Sequence, residues 1–479
     1  MADGEIQREV LPVPDRSYPG LVTYDAKDPD TEFPPIRPLR PPGGAPNVVV
    51  VLLDDVGFGA SSAFGGPVSM PTAKRLAAQG LKYTRFHTTA LCSPTRAALL
   101  SGRNHHAVGM GGITEIATSA PGYSSVRPNT CAPLAETLKL NGYATAHFGK
   151  CHEVPVWETS PAGPFDRWPS PGNGFEHFYG FIGGETNQYY PALYEGTTPA
   201  PPTTTPEQGY HLMPDLADKA IAWVRQQKAL TPDQPFFVYF APGATHPPHH
   251  VPKEWADKYK GKFDQGWDRL REETFARQKE LGVVPQDCEL TRRQDEISAW
   301  DDIDEQLKPV LARQMENYAG FLGYADHHVG RLIDALAELE LLGDTLVYYI
   351  IGDNGASAEG GLHGTFNAMI EPTAPPTCRQ PSSGASTWSR SAAPSPIPTT
   401  RSAGRTPCAA PTSGPSRSPP TGAAPATPPS STGRSGSTPG VSCATSSTTS
   451  STSLRPCWRP PGYPSPCRST GSPRSPCTA

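Results

Sequence analysis

The 479-residue chain has no run of about eighteen apolar residues, so no segment reads as a membrane-spanning helix and no membrane role is expected. Its opening, MADGEIQREVLPVPDRSYPG, lacks the basic end and apolar stretch of a secretory leader, which makes a cytoplasmic location the expectation. From Pro372 to Ala479 there is no Asp, Glu, Lys, Phe, His, Asn or Met. All 46 acidic residues and 31 of the 41 basic ones lie before that point, so the first 371 residues carry a net charge of −15. A nucleic-acid partner is excluded on this ground, since it would need a basic face.

What the tail does contain is Pro, Ser, Thr, Ala, Gly and ten Arg, with six of the ten cysteines (Cys378, Cys408, Cys443, Cys457, Cys467 and Cys477). It shows neither the period of a strand nor that of a helix, so it has no face whose burial would offset the entropy of ordering. A disulfide scaffold fits poorly with a cytosolic setting. Codons of a GC-rich frame read out of register give this composition, and a frameshift near Glu371 is the expectation. The chain therefore divides into a Pro-rich arm (1–45), a folded body (46–371) and a low-complexity tail (372–479) expected to be disordered.

The body alternates strand and helix signals. NVVVVLLDDVG holds an unbroken apolar run from Val48 to Leu53, which suits a strand covered on both faces, as in a parallel sheet. PFFVYFAPGATH (235–246) and TLVYYIIGDNG (345–355) repeat the pattern, and YATAHFGKCH (143–152) is a weaker copy. Between them, PTAKRLAAQG, APLAETLKLNG and DLADKAIAWVRQQKAL read as helices, the last with Leu216, Ala220 and Val224 on one face. The expected fold class is α/β, a mainly parallel central sheet flanked by helices.

Ligands of such sheets bind beyond the carboxyl ends of the strands. Here those ends carry Asp54-Asp55, Thr245-His246 and Asp353-Asn354. One carboxylate pair alone serves equally well as a helix cap or a solvated loop. Two strand ends carrying Asp54, Asp55, Asp353 and Asn354 offer four hard oxygen donors, which favour calcium or magnesium over zinc.

Cys92, in LCSPTRAALLSGR, belongs to no C-x-x-C pair and has no second cysteine at zinc-ligating spacing. Three residues separate it from Arg96, whereas a tyrosine-phosphatase-like loop needs five. A buried, inert thiol is the remaining plain reading.

CSPTRAALLSG resembles the signature C-x-P-x-R of the type I sulfatases, followed after five intervening residues by glycine. GYATAHFGKCH (142–152) resembles their second signature, G-Y-x-T-x-x-x-G-K-x-H. With LLDDVGFG and GDNGAS in order, the resemblance to this branch of the alkaline phosphatase superfamily, and to bacterial arylsulfatases within it, covers about residues 46–371.

The resemblance implies that Cys92 is oxidised to formylglycine by a formylglycine-generating enzyme, and that the hydrated aldehyde attacks the sulfur of a small-molecule sulfate ester. Sulfate then leaves by elimination, which avoids attack of water on a crowded sulfur. It further implies calcium, in preference to magnesium, on Asp54, Asp55, Asp353, Asn354 and modified Cys92. Arg96 would hold the diol region, Lys150 a sulfate oxygen, His152 would act as the base of the elimination, and His246 would protonate the leaving group. A phosphonate monoester or phosphodiester hydrolase on the same site, or an inactive fragment that only binds metal or sulfate, are the alternatives. His105, His106, His327 and His328 are assigned no role, and His249 and His250 are expected to shape the loop beside His246.

The sequence departs from the family at its end. No lysine follows Lys308, whereas the family carries a further sulfate-contacting lysine after the Asp-Asn pair, and a smaller C-terminal domain. Losing one such donor costs on the order of 3 kcal/mol of barrier. Missing cover for the sheet exposes apolar surface, so weak activity and poor solubility are expected.

Overall fold

The computed structural model describes residues 8–15, 20–32, 36–357 and 442–448. Nine strands form one sheet: β1 (Asn47–Leu52), β2 (Leu81–Thr88), β3 (Ala144–Cys151), β4 (His177–Ile182), β5 (Tyr194–Glu195), β6 (Thr198–Pro199), β7 (Phe236–Ala241), β8 (Thr345–Ile351) and β9 (Ser442–Thr448). Their order is β2-β9-β8-β1-β7-β3-β4-β5-β6. Every pairing from β2 to β4 is parallel, and only β4–β5 and β5–β6 are antiparallel.

The apolar runs occupy the centre, as a strand buried on both faces requires. All residues of β1, β3 and β7 are buried. The weak strand signal at 143–152 thus belongs to an interior strand, and its polar residues, His147 and Lys150, are buried with the rest. Alternate residues of β1 feed different layers: Val49 and Val51 join one core, Val48 and Val50 the other.

Among the described residues seven α-helices flank the sheet: α1 (Pro71–Gln79), α2 (Cys92–Ser101), α3 (Leu134–Lys139), α4 (Leu212–Leu230), α5 (Lys253–Asp257), α6 (Gly266–Glu280) and α7 (Lys308–Glu338). Proline opens α1 and Gly80 ends it, and Leu216, Ala220 and Val224 of α4 are buried on one face. No side chain caps the first turn of α1 from within its own sequence. Asp326 of α7 supplies the cap, accepting from the Thr72 and Ala73 amides at 2.9 and 3.0 Å. No helix among the described residues is long and apolar enough to cross a membrane.

Within the arm, Arg8 donates to Oδ1 of Asn141 at 3.3 Å and Arg40 pairs with Asp233 at 2.9 Å. Ser442–Thr448 of the tail lie as β9 between β2 and β8. The backbone supplies a full set of donors and acceptors whatever its side chains, so a segment without an apolar period can still pair in a sheet. The frameshift point near Glu371 and the remainder of the tail lie outside the described residues. Leu81 and Tyr83 of β2 are exposed.

Candidate active site

Because β8, β1, β7 and β3 are adjacent and parallel, their carboxyl ends open on one edge of the sheet. Asp54 and Asp55 follow β1, His246 follows β7, Asp353 and Asn354 follow β8, and Lys150 and His152 lie at the end of β3. The first turn of α2 brings Cys92 and Arg96 to the same edge. All nine candidate residues therefore meet, although they span 300 positions of sequence.

The backbone at Asp54-Asp55 is tightly held. Asp55 adopts φ +53°, in the left-handed region, and its amide donates to Oδ1 of Asp353 at 3.2 Å. Thr245 Oγ1 lies 3.3 Å from both the Asp54 and the Asp55 carbonyl oxygens, and the Tyr318 hydroxyl donates to the latter at 3.0 Å. His249 Nε2 donates to the Thr245 carbonyl at 2.9 Å, which fixes the loop carrying His246.

Asp54, Asp55 and Asp353 are buried, and each presents a carboxylate oxygen within 4.8 Å of the others. Asn354 donates Nδ2 to Oδ1 of Asp55 at 2.9 Å, while its own Oδ1 is buried without a hydrogen-bond partner, as is Oδ1 of Asp54. A buried Asn354 oxygen without a partner, beside three carboxylates, is what a hard cation would satisfy, so the donor set fits a hard divalent cation. Cys92 lies outside that carboxylate group, with its sulfur on His152.

Two buried cations balance the carboxylates. Lys150 Nζ lies 2.5 Å from Oδ2 of Asp54; Arg96 donates to Oδ2 of Asp353 at 2.8 Å and stands 3.3 Å from Oδ1 of Asp54. Burial raises the Asp54 carboxyl, but Lys150 and Arg96 outweigh it and the group stays ionised. Burial, then the Asp54 charge, pushes Asp353 up. Burial works against the charge on Lys150, yet Asp54 keeps it protonated.

Burial, reinforced by Asp54 and Asp353, pushes the Cys92 thiol up to about 12. Residue 92 is thus no thiolate nucleophile at neutral pH. Its Sγ stands 3.0 Å from Nδ1 of His152, whose Nε2 lies 2.7 Å from Oε2 of Glu115. Burial, against the pull of Glu115, moves His152 down to about 4 and keeps it neutral. His246 donates Nδ1–H to the Pro247 carbonyl at 2.7 Å and turns Nε2 toward Oδ2 of Asp55, 3.7 Å away.

Two contributors went unrecognised in the sequence. Glu115 lies on a short 3-10 turn (Thr114–Ile116) within GGITEIATS, a stretch with no pattern separating it from other loop acids. Gly184 carries the loop after β4 across the His152 ring; a Cβ there would stand 2.9 Å from Cε1. Of the unassigned histidines, His327 and His328 pack beside Trp255 and Tyr324, and the His105 ring lies tilted against that of His106.

The family model "Sulfatase" matches residues 46–383. The arylsulfatase of Klebsiella aerogenes is 30% identical over 325 residues, which cover 66% of this chain and 68% of that protein. An uncharacterized sulfatase of Schizosaccharomyces pombe is 32% identical over 335 residues, 65% of this chain and 58% of that one. Arylsulfatase A of Homo sapiens is 30% identical over 236 residues, covering 44% of each chain. The chain thus matches between 44% and 68% of the length of these relatives.

Proposed function

The chain belongs to the sulfatase family, type I, of the alkaline phosphatase superfamily, and from that premise we propose that it hydrolyses sulfate esters of small alcohols or phenols. The observation that carries this is the convergence of Asp54, Asp55, Asp353 and Asn354 on one pocket, with residue 92 facing His152 beside it. In this reading Asp54, Asp55, Asp353 and Asn354 would hold calcium, which would offset the charge of the sulfate, and position 92, once converted to formylglycine, would supply the oxygen nucleophile.

The chain's own residues then have separable tasks. Lys150 and Arg96 are fixed positive charges, held by Asp54 and Asp353 so that they need no reorganisation when sulfate binds. His152 offers a neutral ring whose Nδ1 faces residue 92, the position from which a base takes a proton there. His246, with Nδ1–H committed to Pro247, takes its second proton on Nε2 beside Asp55, where a leaving oxygen receives it.

The test is co-expression with a formylglycine-generating enzyme, the modifying partner this reading requires. The Cys92 peptide is then expected to weigh about 18 Da less than its thiol form. Aryl sulfate is expected to turn over faster than aryl phosphate or phenylphosphonate esters. An unchanged thiol, or a preference for the phosphorus esters, would overturn the proposal.

A further inference from the structure

We propose that Glu115 is a positioning residue that locks His152 in the tautomer with its proton on Nε2, so that the Nδ1 lone pair faces residue 92. This rests on the reading of His152 as the proton acceptor, and it adds the residue that makes that role possible.

A neutral imidazole carries one N–H, and its hydrogen-bond partners decide which nitrogen bears it. Both ring nitrogens of His152 are engaged, Nδ1 by the Cys92 sulfur at 3.0 Å and Nε2 by Oε2 of Glu115 at 2.7 Å. An ionised carboxylate only accepts, so Nε2 donates and Nδ1 is left as the acceptor. The ring has little freedom to escape this arrangement. It is buried, and Gly184 lies against its edge, nearest to Cε1. Were Glu115 absent, a proton on Nδ1 would point at residue 92, and the ring could not take a proton from that residue. The carboxylate touches no reacting atom, so its effect passes wholly through His152.

Glu115 sits at the rim, with 44% of its side chain exposed, so truncation leaves no cavity in the core. Its position separates it from the buried acids of the pocket, which pair with Lys150 and Arg96.

The experiment uses the full chain with residue 92 unmodified, labelled with 15N-histidine, without added cation. Long-range proton–nitrogen correlation distinguishes the two tautomers of each ring, and His152→Gln identifies the His152 signals by their loss. The wild-type ring is expected wholly as the Nε2–H form, and Glu115→Ala is expected to populate the Nδ1–H form substantially. Unchanged His152 nitrogen shifts in Glu115→Ala would overturn the proposal, whatever the activity. In the modified enzyme, Glu115→Ala is expected to lower kcat about 10- to 100-fold with KM within about twofold, by analogy with other groups that orient a functional histidine. A tautomer shift with unaltered kcat would keep the assignment of Glu115 and instead overturn the reading of His152 as the base.

Discussion

Arg96 and Asp353 form an ion pair at 2.8 Å across 257 positions of sequence, with both side chains essentially sealed from solvent. Buried charges of this kind persist only when each has its counter-charge and hydrogen bonds. Lys150 and Asp54 form a second such pair, and Arg96 reaches both carboxylates. The site is therefore held by the charges it would use.

Removal of Lys150 leaves Asp54 buried beside a single remaining cation. Lys150→Ala is expected to lower the free energy of unfolding by about 3–5 kcal/mol, the usual cost of breaking a buried pair. Urea denaturation measures it. A loss below about 1 kcal/mol would show that the network does not hold the pocket.

Calcium should stabilise the folded chain through the carboxylates of Asp54, Asp55 and Asp353 and the unpartnered oxygen of Asn354. At a free concentration a hundredfold above Kd the gain is about 2.7 kcal/mol. Unfolding curves with calcium and with a chelator read this out directly. Asp54→Asn should abolish most of the difference; an equal gain in that variant would place the cation elsewhere.

The interior of the sheet carries a pH liability in His147. Burial moves its ring from an ordinary 6.5 down to about 3, opposed only by its bond to the Lys150 carbonyl at 3.1 Å. The unfolded chain therefore takes up the proton first as pH falls. The stability linked to His147 is complete above pH 6.5 and is lost progressively from there toward pH 3. His147→Gln should flatten that acid slope, by about 2–3 kcal/mol over the two pH units below the ordinary value. Equal slopes for the two proteins in urea titrations across that range would contradict it.

Gly184 approaches His152 so closely that a methyl group would push the ring. Gly184→Ala is expected to lower kcat by about 10- to 100-fold, since displacement of about 1 Å is that costly to a positioned group. Its melting temperature should change little, because the strain falls on the single ring of His152 rather than on the sheet. Unaltered turnover would mean that the ring's place is not critical.

Much of this arrangement was legible in the linear chain. The unbroken apolar runs announced strands buried on both faces, and parallel strands must end on one edge. Asp54-Asp55, Asp353-Asn354 and His246 could therefore be brought together by counting strands alone. Cys92, Arg96, Lys150 and His152 stood out through the resemblance of two short motifs to the sulfatase signatures. His147 illustrates the opposite case, since a lone histidine in a run of Ala, Thr and Phe carries no signal that it lies in the interior of the sheet. The tail illustrates another, because its composition denied any apolar face, yet Ser442–Thr448 pair as β9 through backbone groups.

The sequence by itself determined the fold class, the order along the chain of the four strands that carry the site and the chemical types at their ends, because periodicity and residue chemistry are local properties. Only the tertiary structure decided that Arg96 answers Asp353, that Lys150 answers Asp54, and that Glu115 and Gly184 close around His152. Those contacts join a helix, a strand and loops with no pattern in common, and their geometry follows from how helices and loops pack on a finished sheet.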